Sequence, residues 1–516
     1  MQVFCLAAAA CSSLRPEFVK TPSTALPPTA DTPSTRYVNS ELDAHPGLTG
    51  LRVLTNSTNA LMSRITLIDH AQHSIDLQYY LFQNDATGRL VAQRLLAAAD
   101  RGVRVRMLLD DIGLKNENHM LDALNAQTNI QVRLFNPLRT RNPSTLSKIA
   151  QFVLEGRRLN RRMHNKSLIV DNSTAIIGGR NIGDDYFDAS DANNFRDLDL
   201  IAIGPVVAEA SHAFDEYWNS DAAFPVTAFR TTHNPVADLV KLRAALERDA
   251  RAFAQSDYAQ ASLDLLPNGA TGDRRGEWFW GKAVLLADAP EKIQVDGDDP
   301  TLRIGPEIKT VVDGAQKQLL LISPYFIPGK RGTRYLIALA QRGVAVTALT
   351  NSLASTDEPM AEAGYMRYRV ALLRGGVQLY ELRPAANATQ SATAQGTSSG
   401  VSLHAKAIVV DHRYVFVGSM NLDPRSKLLN TEMGVLADCP ALAQAMAQFF
   451  AAATTPSAAF HVQLLASAGH ASATPHLVWI AKDNGKSVQF DRDPGATDAR
   501  RLQVTLFGLL PIEGML

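Results

Sequence analysis

The chain has 516 residues, of which 46% are hydrophobic and 20% charged, with 51 basic residues against 51 acidic ones. That length asks for two domains, and the composition excludes a disordered chain. Zero net charge excludes a global field for nucleic acid. Three cysteines exclude a disulfide framework or a cysteine-built zinc site, and no apolar run has the length of a membrane-spanning helix.

In chain order, a short run of apolar and small residues, "MQVFCLAAAACSSL", is followed by the Thr/Pro-rich "KTPSTALPPTADTPSTR". Then "HSIDLQYYLF" alternates as a β-strand, "GRLVAQRLLAAADRG" has the period of an amphipathic helix ending at Gly102, and "VRVRMLLDD" reads as a second strand. Its terminal Asp110 and Asp111 are either contacts for a substrate's polar head or an exposed pair. The second half gives strand "KQLLLISPYFIPG", helix "RGTRYLIALAQRG" and strand "VAVTALTNS" in the same order.

Arg101-Gly102-Val103 returns as Arg342-Gly343-Val344 at an offset of 241 residues. "HNKSLIVDNSTAIIGGRN" returns as "HAKAIVVDHRYVFVGSMN". His164, Lys166, Asp171, Gly178 and Asn181 thereby map onto His404, Lys406, Asp411, Gly418 and Asn421 at an offset of 240. Such repetition implies two copies of one unit. Alternating β and α elements predict an α/β fold, a mixed sheet flanked by helices. The two tandem domains are expected to form a pseudo-dimer with one shared active site. Boundaries are expected at 1–40 for a leader and linker, 41–225 and 301–455 for the two domains, 226–300 for a connector and 456–516 for a C-terminal extension.

One His and one Lys from each unit suit a single site between the copies. One imidazole attacks while the other serves as general acid and then base, and the lysines and asparagines hold phosphate oxygens. The chemistry calls for no metal or cofactor, and His70 with His73 lacks a partner at ligand spacing. An attacking imidazole needs a carboxylate on its second nitrogen. Aligning "NNFRDLDLIAIGP" with "LLNTEMGVLADCP" puts Asp197 opposite Glu432 and Asp199 opposite Gly434, so Asp197 and Glu432 are the expected orienters.

The motif His-x-Lys-(x)4-Asp-(x)6-Gly-(Gly/Ser)-x-Asn, present twice, resembles the paired signature of the phospholipase D superfamily. "LNRRMHNKSLIVD", "GGRNIGDDYF", "LTNSLASTD", "GVQLYEL" and "DPRSKLLNTEMG" are similar to bacterial cardiolipin synthases of the C type, a likeness covering nearly all the chain after its N-terminal segment. The resemblance implies a catalytic set of His164, Lys166, Asp171, His404, Lys406 and Asp411, with Asp171 and Asp411 as supports within the motif. Asn181, Asn421 and Ser419 would bind phosphate. It also implies transfer through a phosphatidyl-histidine, with His164 attacking by analogy and His404 as acid and base. Gly179 stands where Ser419 stands in the other copy, which leaves the choice of nucleophile open. The alternatives are a phospholipase D that hydrolyses phospholipids, a superfamily nuclease, and an inactive membrane-binding scaffold.

Expected partners are phospholipids (phosphatidylglycerol, with phosphatidylethanolamine as a further candidate) and a membrane surface, not nucleic acid. The stretch "LRTRNPSTLSKIAQFVLEGRRLNRRM" carries Arg139, Arg141, Lys148, Arg157, Arg158, Arg161 and Arg162 against one acid, Glu155. It reads either as a membrane-facing segment or as a solvated helix. The N-terminal run resembles a bacterial lipoprotein signal with Cys11 as the lipidated residue, the alternative being an unstructured terminus. Location is expected in the bacterial cell envelope, membrane-associated, or on the cytoplasmic face of the inner membrane if the N-terminus is not a signal.

Overall fold

The structure, a computed structural model, describes residues 20–29, 31–112, 118–138, 156, 158–229, 234–260, 278–384, 400–465 and 476–510. The first half supplies strands β1 (Thr49–Leu54), β2 (Ser74–Tyr79), β3 (Arg104–Asp110), β4 (Ile130–Phe135), β5 (Ser167–Val170), β6 (Thr174–Gly178), β7 (Asn194–Arg196), β8 (Asp199–Ile203) and β9 (Ala223–Pro225). The second half supplies β10 (Phe279–Ala287), β11 (Gln318–Ile322), β12 (Ala345–Asn351), β13 (Gln378–Leu382), β14 (Val401–Leu403), β15 (Ala407–Val410), β16 (Tyr414–Gly418), β17 (Met433–Asp438), β18 (Ala459–Leu465), β19 (His476–Asp483) and β20 (Lys486–Phe490).

Among the described residues, pairing runs without a break through one mixed sheet. Its order is β9-β4-β3-β2-β5-β6-β8-β1, then β10-β17-β16-β15-β11-β12-β13-β18, then β19-β20. The sequence halves mirror each other across the β1–β10 seam, where Gly50 pairs with Trp280 and Leu51 with Phe279. The duplication is thus built as two α/β units fused edge to edge, which leaves no open strand edge at the junction. Strands β10 and β18 fall in the stretches read as connector and extension. As the mirror mates of β1 and β9, they extend the second unit beyond 301–455.

Local signals explain the matched turns. The helix Ala86–Asp100 is capped by Asp85, whose side chain accepts from the Gly88 N–H, and it stops at Gly102 with φ +95°. The helix Gly329–Gln341 stops at Gly343 with φ +94°. Each glycine takes a left-handed conformation that a side chain would strain, and the chain then turns into β3 or β12. A central core, with Phe214, Tyr217 and Trp218 from one half and Leu442, Met446 and Phe450 from the other, ties the units together. The ends of β5, β6, β15 and β16 nearest this seam carry the chemistry.

Candidate active site

His164 and Lys166 lie on the extended segment entering β5, and His404 and Lys406 on the one entering β15. At the histidines themselves the backbone pairs across the seam. The His164 N–H donates to the Thr431 carbonyl (2.9 Å), and the Thr431 N–H donates to the Arg162 carbonyl (2.9 Å). On the mirror side β14 runs parallel to β7, and the His404 N–H donates to the Arg196 carbonyl (2.8 Å). Each histidine-bearing segment is therefore zipped to the acid-bearing segment of the other half. The consequence is crossed orientation: His164 Nδ1 meets Glu432 Oε2 at 2.9 Å, and His404 Nδ1 meets Asp197 Oδ2 at 2.6 Å. All four side chains are buried.

Both Nδ1 atoms being engaged, Nε2 is the nitrogen left for chemistry in each ring. The Lys166 Nζ donates to its own His164 carbonyl (2.5 Å), and the Lys406 Nζ donates to the His404 carbonyl and lies 2.9 Å from His404 Nδ1. Aromatic edges wall the rings. Tyr80 lies 5.1 Å from His164 between centroids, and Tyr186 and Phe195 lie 5.3 and 5.0 Å from His404. Asn181 Oδ1 accepts from the Leu81 N–H (3.1 Å), while Asn421 Oδ1 is buried with no partner among the described residues.

Desolvation governs the charges here. Burial, reinforced by Lys166 and Lys406, pushes the His164 imidazolium well below its usual range. Burial and Lys406 bring His404 to about 4 against the pull of Asp197. Burial also lowers Lys166 to about 7 and Lys406 to about 8. The two acids diverge. Burial pushes Asp197 up, but His404, Lys406 and Arg180 outweigh it and hold the carboxyl below its usual range. Burial raises Glu432, and Lys166 and Ser419 offset it only in part. The cluster thus carries little net positive charge and is poised to gain protons when an anion enters.

Several sequence expectations change. Asp171 and Asp411 do not join the cluster. Each sits at the far end of its strand, roughly 20 Å along the chain from the histidine, in a hairpin turn with φ +51° and +53°. Asp171 accepts from the backbone N–H groups of Gln72, His73 and Ser74. Asp411 accepts from those of Gln316, Lys317 and Gln318. They bind hairpin to sheet and are supports, not catalytic groups. Ser419 is not aimed at a substrate phosphate either: its hydroxyl donates to Glu432 Oε2 (2.5 Å) and accepts from the Met433 N–H (3.0 Å).

Gly179 now has a reason. A Cβ there would lie 2.2 Å from Asp197 Oδ1, so the shorter acid fills the space that a serine takes on the other side. Asp110 is buried on Arg162 (2.6 Å) and the Met163 N–H (2.9 Å), so it clamps the strand before His164 instead of meeting substrate. Its counterpart Asn351 does the same through the Leu403 N–H (2.8 Å). Asp111 accepts from the Leu138 N–H (2.6 Å). Asp199 belongs to Arg64 and Arg180. Of the basic stretch, Arg158 binds Asn136, Arg161 binds the Ile293 and Val295 carbonyls and Asp296, and Arg162 binds Asp110, so internal pairing withdraws these three from a membrane-facing role. Arg139, Arg141, Lys148, Glu155, Arg157 and Cys11 lie outside the described residues.

The crossed pairing was not legible, because partners 268 and 207 residues apart leave no local pattern. Tyr80 was missed because its mirror position is Pro324, so the repeat gave no signal. Among the described residues no group of three or more His, Cys, Asp and Glu side chains is placed to hold a metal.

A duplicated α/β sheet with two His-x-Lys segments converging on one buried cluster defines a phospholipase D-type enzyme. Residues 65–218 and 308–454 match the family described as "Cardiolipin synthase, PLD-like domain", and the chain belongs to that family. It is 37% identical to cardiolipin synthase C of Escherichia coli (strain K12), over 92% of this chain and 97% of that protein. It is 35% identical to an uncharacterized protein of Helicobacter pylori (strain ATCC 700392 / 26695), over 82% of this chain and 84% of that one. Phosphatidylserine synthase of Haemophilus influenzae Rd KW20 shares the fold, with a TM-score of 0.52, 16% identity and coverage of 81% of this chain and 89% of that one.

Proposed function

We propose that this chain is a phosphatidyltransferase that makes cardiolipin from two phospholipids. One observation carries the reading: two buried imidazoles, each oriented at Nδ1 by a carboxylate of the opposite half, with both Nε2 atoms left for one substrate. His164 Nε2 attacks the donor phosphorus. The bond from phosphorus to the headgroup oxygen breaks, and His404, which takes up a proton as the anionic substrate enters, gives that proton to the oxygen. The acceptor's hydroxyl then loses its proton to His404 and attacks the same phosphorus. The phosphorus–nitrogen bond breaks and its electron pair returns to His164. Lys166, Lys406, Asn181 and Asn421 stabilise charge on the non-bridging oxygens. Glu432 and Asp197 hold the tautomers and balance each imidazolium as it forms.

Phosphatidylglycerol is the proposed acceptor, with phosphatidylglycerol or phosphatidylethanolamine as donor. Membrane association is part of the reading, with lipidation at Cys11 as its proposed anchor. No helix among the described residues is long and apolar enough to cross a membrane. Incubating purified protein with phosphatidylglycerol, with and without phosphatidylethanolamine, should yield cardiolipin by mass spectrometry. Phosphatidic acid alone would mean hydrolysis, and cleavage of DNA without lipid turnover would overturn the lipid assignment. Incorporation of labelled fatty acid, lost in Cys11→Ser, tests the anchor.

A further inference from the structure

Beside His404, on the turn after β12, stands an acid that the chemistry above leaves unused. Asp357 is exposed, and the Tyr325 hydroxyl donates to its Oδ2 at 2.8 Å. Among the described residues it forms no ion pair. Its partner Tyr325 is tied to the site: Ser323 Oγ donates to the Tyr325 carbonyl (2.8 Å) and accepts from the Leu422 N–H (3.0 Å), next to Asn421. The Asp357 charge is felt by His404 and Lys406 as well. Glu358 and Arg500 are the other charged groups within its reach.

The turn is held firmly. The Ser355 and Thr356 N–H groups donate to the Ser352 carbonyl, and Arg500 donates to the Thr356 carbonyl. Ser355 Oγ donates to Asn351 Oδ1 (3.0 Å), the same oxygen that accepts from the Leu403 N–H. Leu403 precedes His404, so one amide fixes both the acid and the imidazole. The other half differs: Arg425, whose charge reaches His164 and Tyr80, stands at the position that Asp185 occupies in the first half. The anionic phosphatidyl group is favoured on one side, and hydrogen-bond donors on the other.

We propose that Asp357 recognises the alcohol that enters or leaves beside His404, by accepting from a donor on the carbon next to the reacting C–O group. The 2-hydroxyl of glycerol and the ammonium of ethanolamine both meet that description, and water does not. Asp357 therefore steers the covalent intermediate toward an alcohol and away from hydrolysis. This rests on the transferase reading above.

The test is partition of one intermediate. Wild type, Asp357→Ala, Asp357→Asn and Tyr325→Phe are given phospholipid with glycerol, ethanolamine or 1-propanol at fixed concentration. The ratio of alcohol product to phosphatidic acid is measured, so that changes in forming the intermediate cancel. With glycerol and ethanolamine, Asp357→Ala should lower the ratio about ten- to hundredfold, the scale of one charge-assisted hydrogen bond. With 1-propanol the ratio should stay put. Asp357→Asn should hurt ethanolamine more than glycerol, and Tyr325→Phe should lower both modestly, which keeps the test sound if the alanine variant misfolds. An equal fall for all three alcohols, or none, overturns the proposal. A wild type that makes neither cardiolipin nor phosphatidic acid overturns the transferase reading, and this one with it.

Discussion

Replacing Gly179 with serine should cripple the enzyme although the motif of the other half carries serine there. A Cβ at Gly179 would lie 2.2 Å from Asp197 Oδ1 and 2.9 Å from Cγ and Oδ2. That is about 1.2 Å short of ordinary contact. The carboxylate is not free to give way, since the Leu198 N–H donates to its Oδ1 (2.7 Å) and His404 sits 2.6 Å from Oδ2. A displacement of that size breaks the bond to His404 and with it the tautomer and the balance of charge. Misplaced or wrongly protonated imidazoles cost roughly 10²- to 10⁴-fold in rate. Product formation under saturating phosphatidylglycerol, alongside a melting curve, measures it. Adding Asp197→Glu should restore activity to within about tenfold, because the double variant rebuilds the Ser419–Glu432 arrangement on the first half. A single Gly179→Ser variant with the wild-type rate would refute the reasoning, as would a folded double variant with no recovery.

Asp171→Ala should lose about 1–3 kcal/mol of stability, since buried and half-buried backbone donors lose their acceptor, and Asp411→Ala should lose less, because its donors at Gln316 and Lys317 are exposed to water. Activity per folded molecule should persist, as chemical denaturation and assay on the same samples would show. Lowered lysines make binding pH-dependent. With Lys166 near 7 and Lys406 near 8, affinity for a short-chain phospholipid should weaken from pH 7 to 9, and binding at pH 8 should take up protons. Calorimetry on His164→Ala in buffers of different ionisation enthalpy reads both, and pH-independent affinity would contradict the charge assignment. Lys166 titrates lower in the folded chain than its ordinary 10.5, so the unfolded chain binds more protons between about 7 and 10.5, and stability rises with pH there. Lys166→Met should therefore abolish turnover yet raise the melting temperature at pH 7, by an amount that shrinks toward pH 10.

The duplication made the α/β class legible, because matched strands and helices at a near-constant offset leave few other architectures. His164, Lys166, His404 and Lys406 were legible for the same reason, each supporting its mate. What escaped was relational. Nothing local says that Glu432 serves His164 or that Asp197 serves His404, since that depends on Thr431 and Arg196 pairing across the seam. Asp171 and Asp411 were legible as supports, but Ser419 was misread because a motif records which residues travel together, not which ones touch substrate. Tyr80, Tyr325 and Asp357 break the internal symmetry, so the repeat was silent about them.

The central claim is that the buried His164 imidazole at the seam carries the phosphatidyl group while His404 moves the proton. His404→Ala, given a phosphatidyl ester of a good leaving group such as p-nitrophenol, needs no acid for the first step and lacks the base for the second. After rapid quench and digestion, mass spectrometry should find a phosphatidyl adduct on the peptide containing His164, with a burst of about one nitrophenol per chain. Absence of any adduct, or an adduct on His404 in the corresponding His164→Ala variant and none on His164 here, would contradict the account.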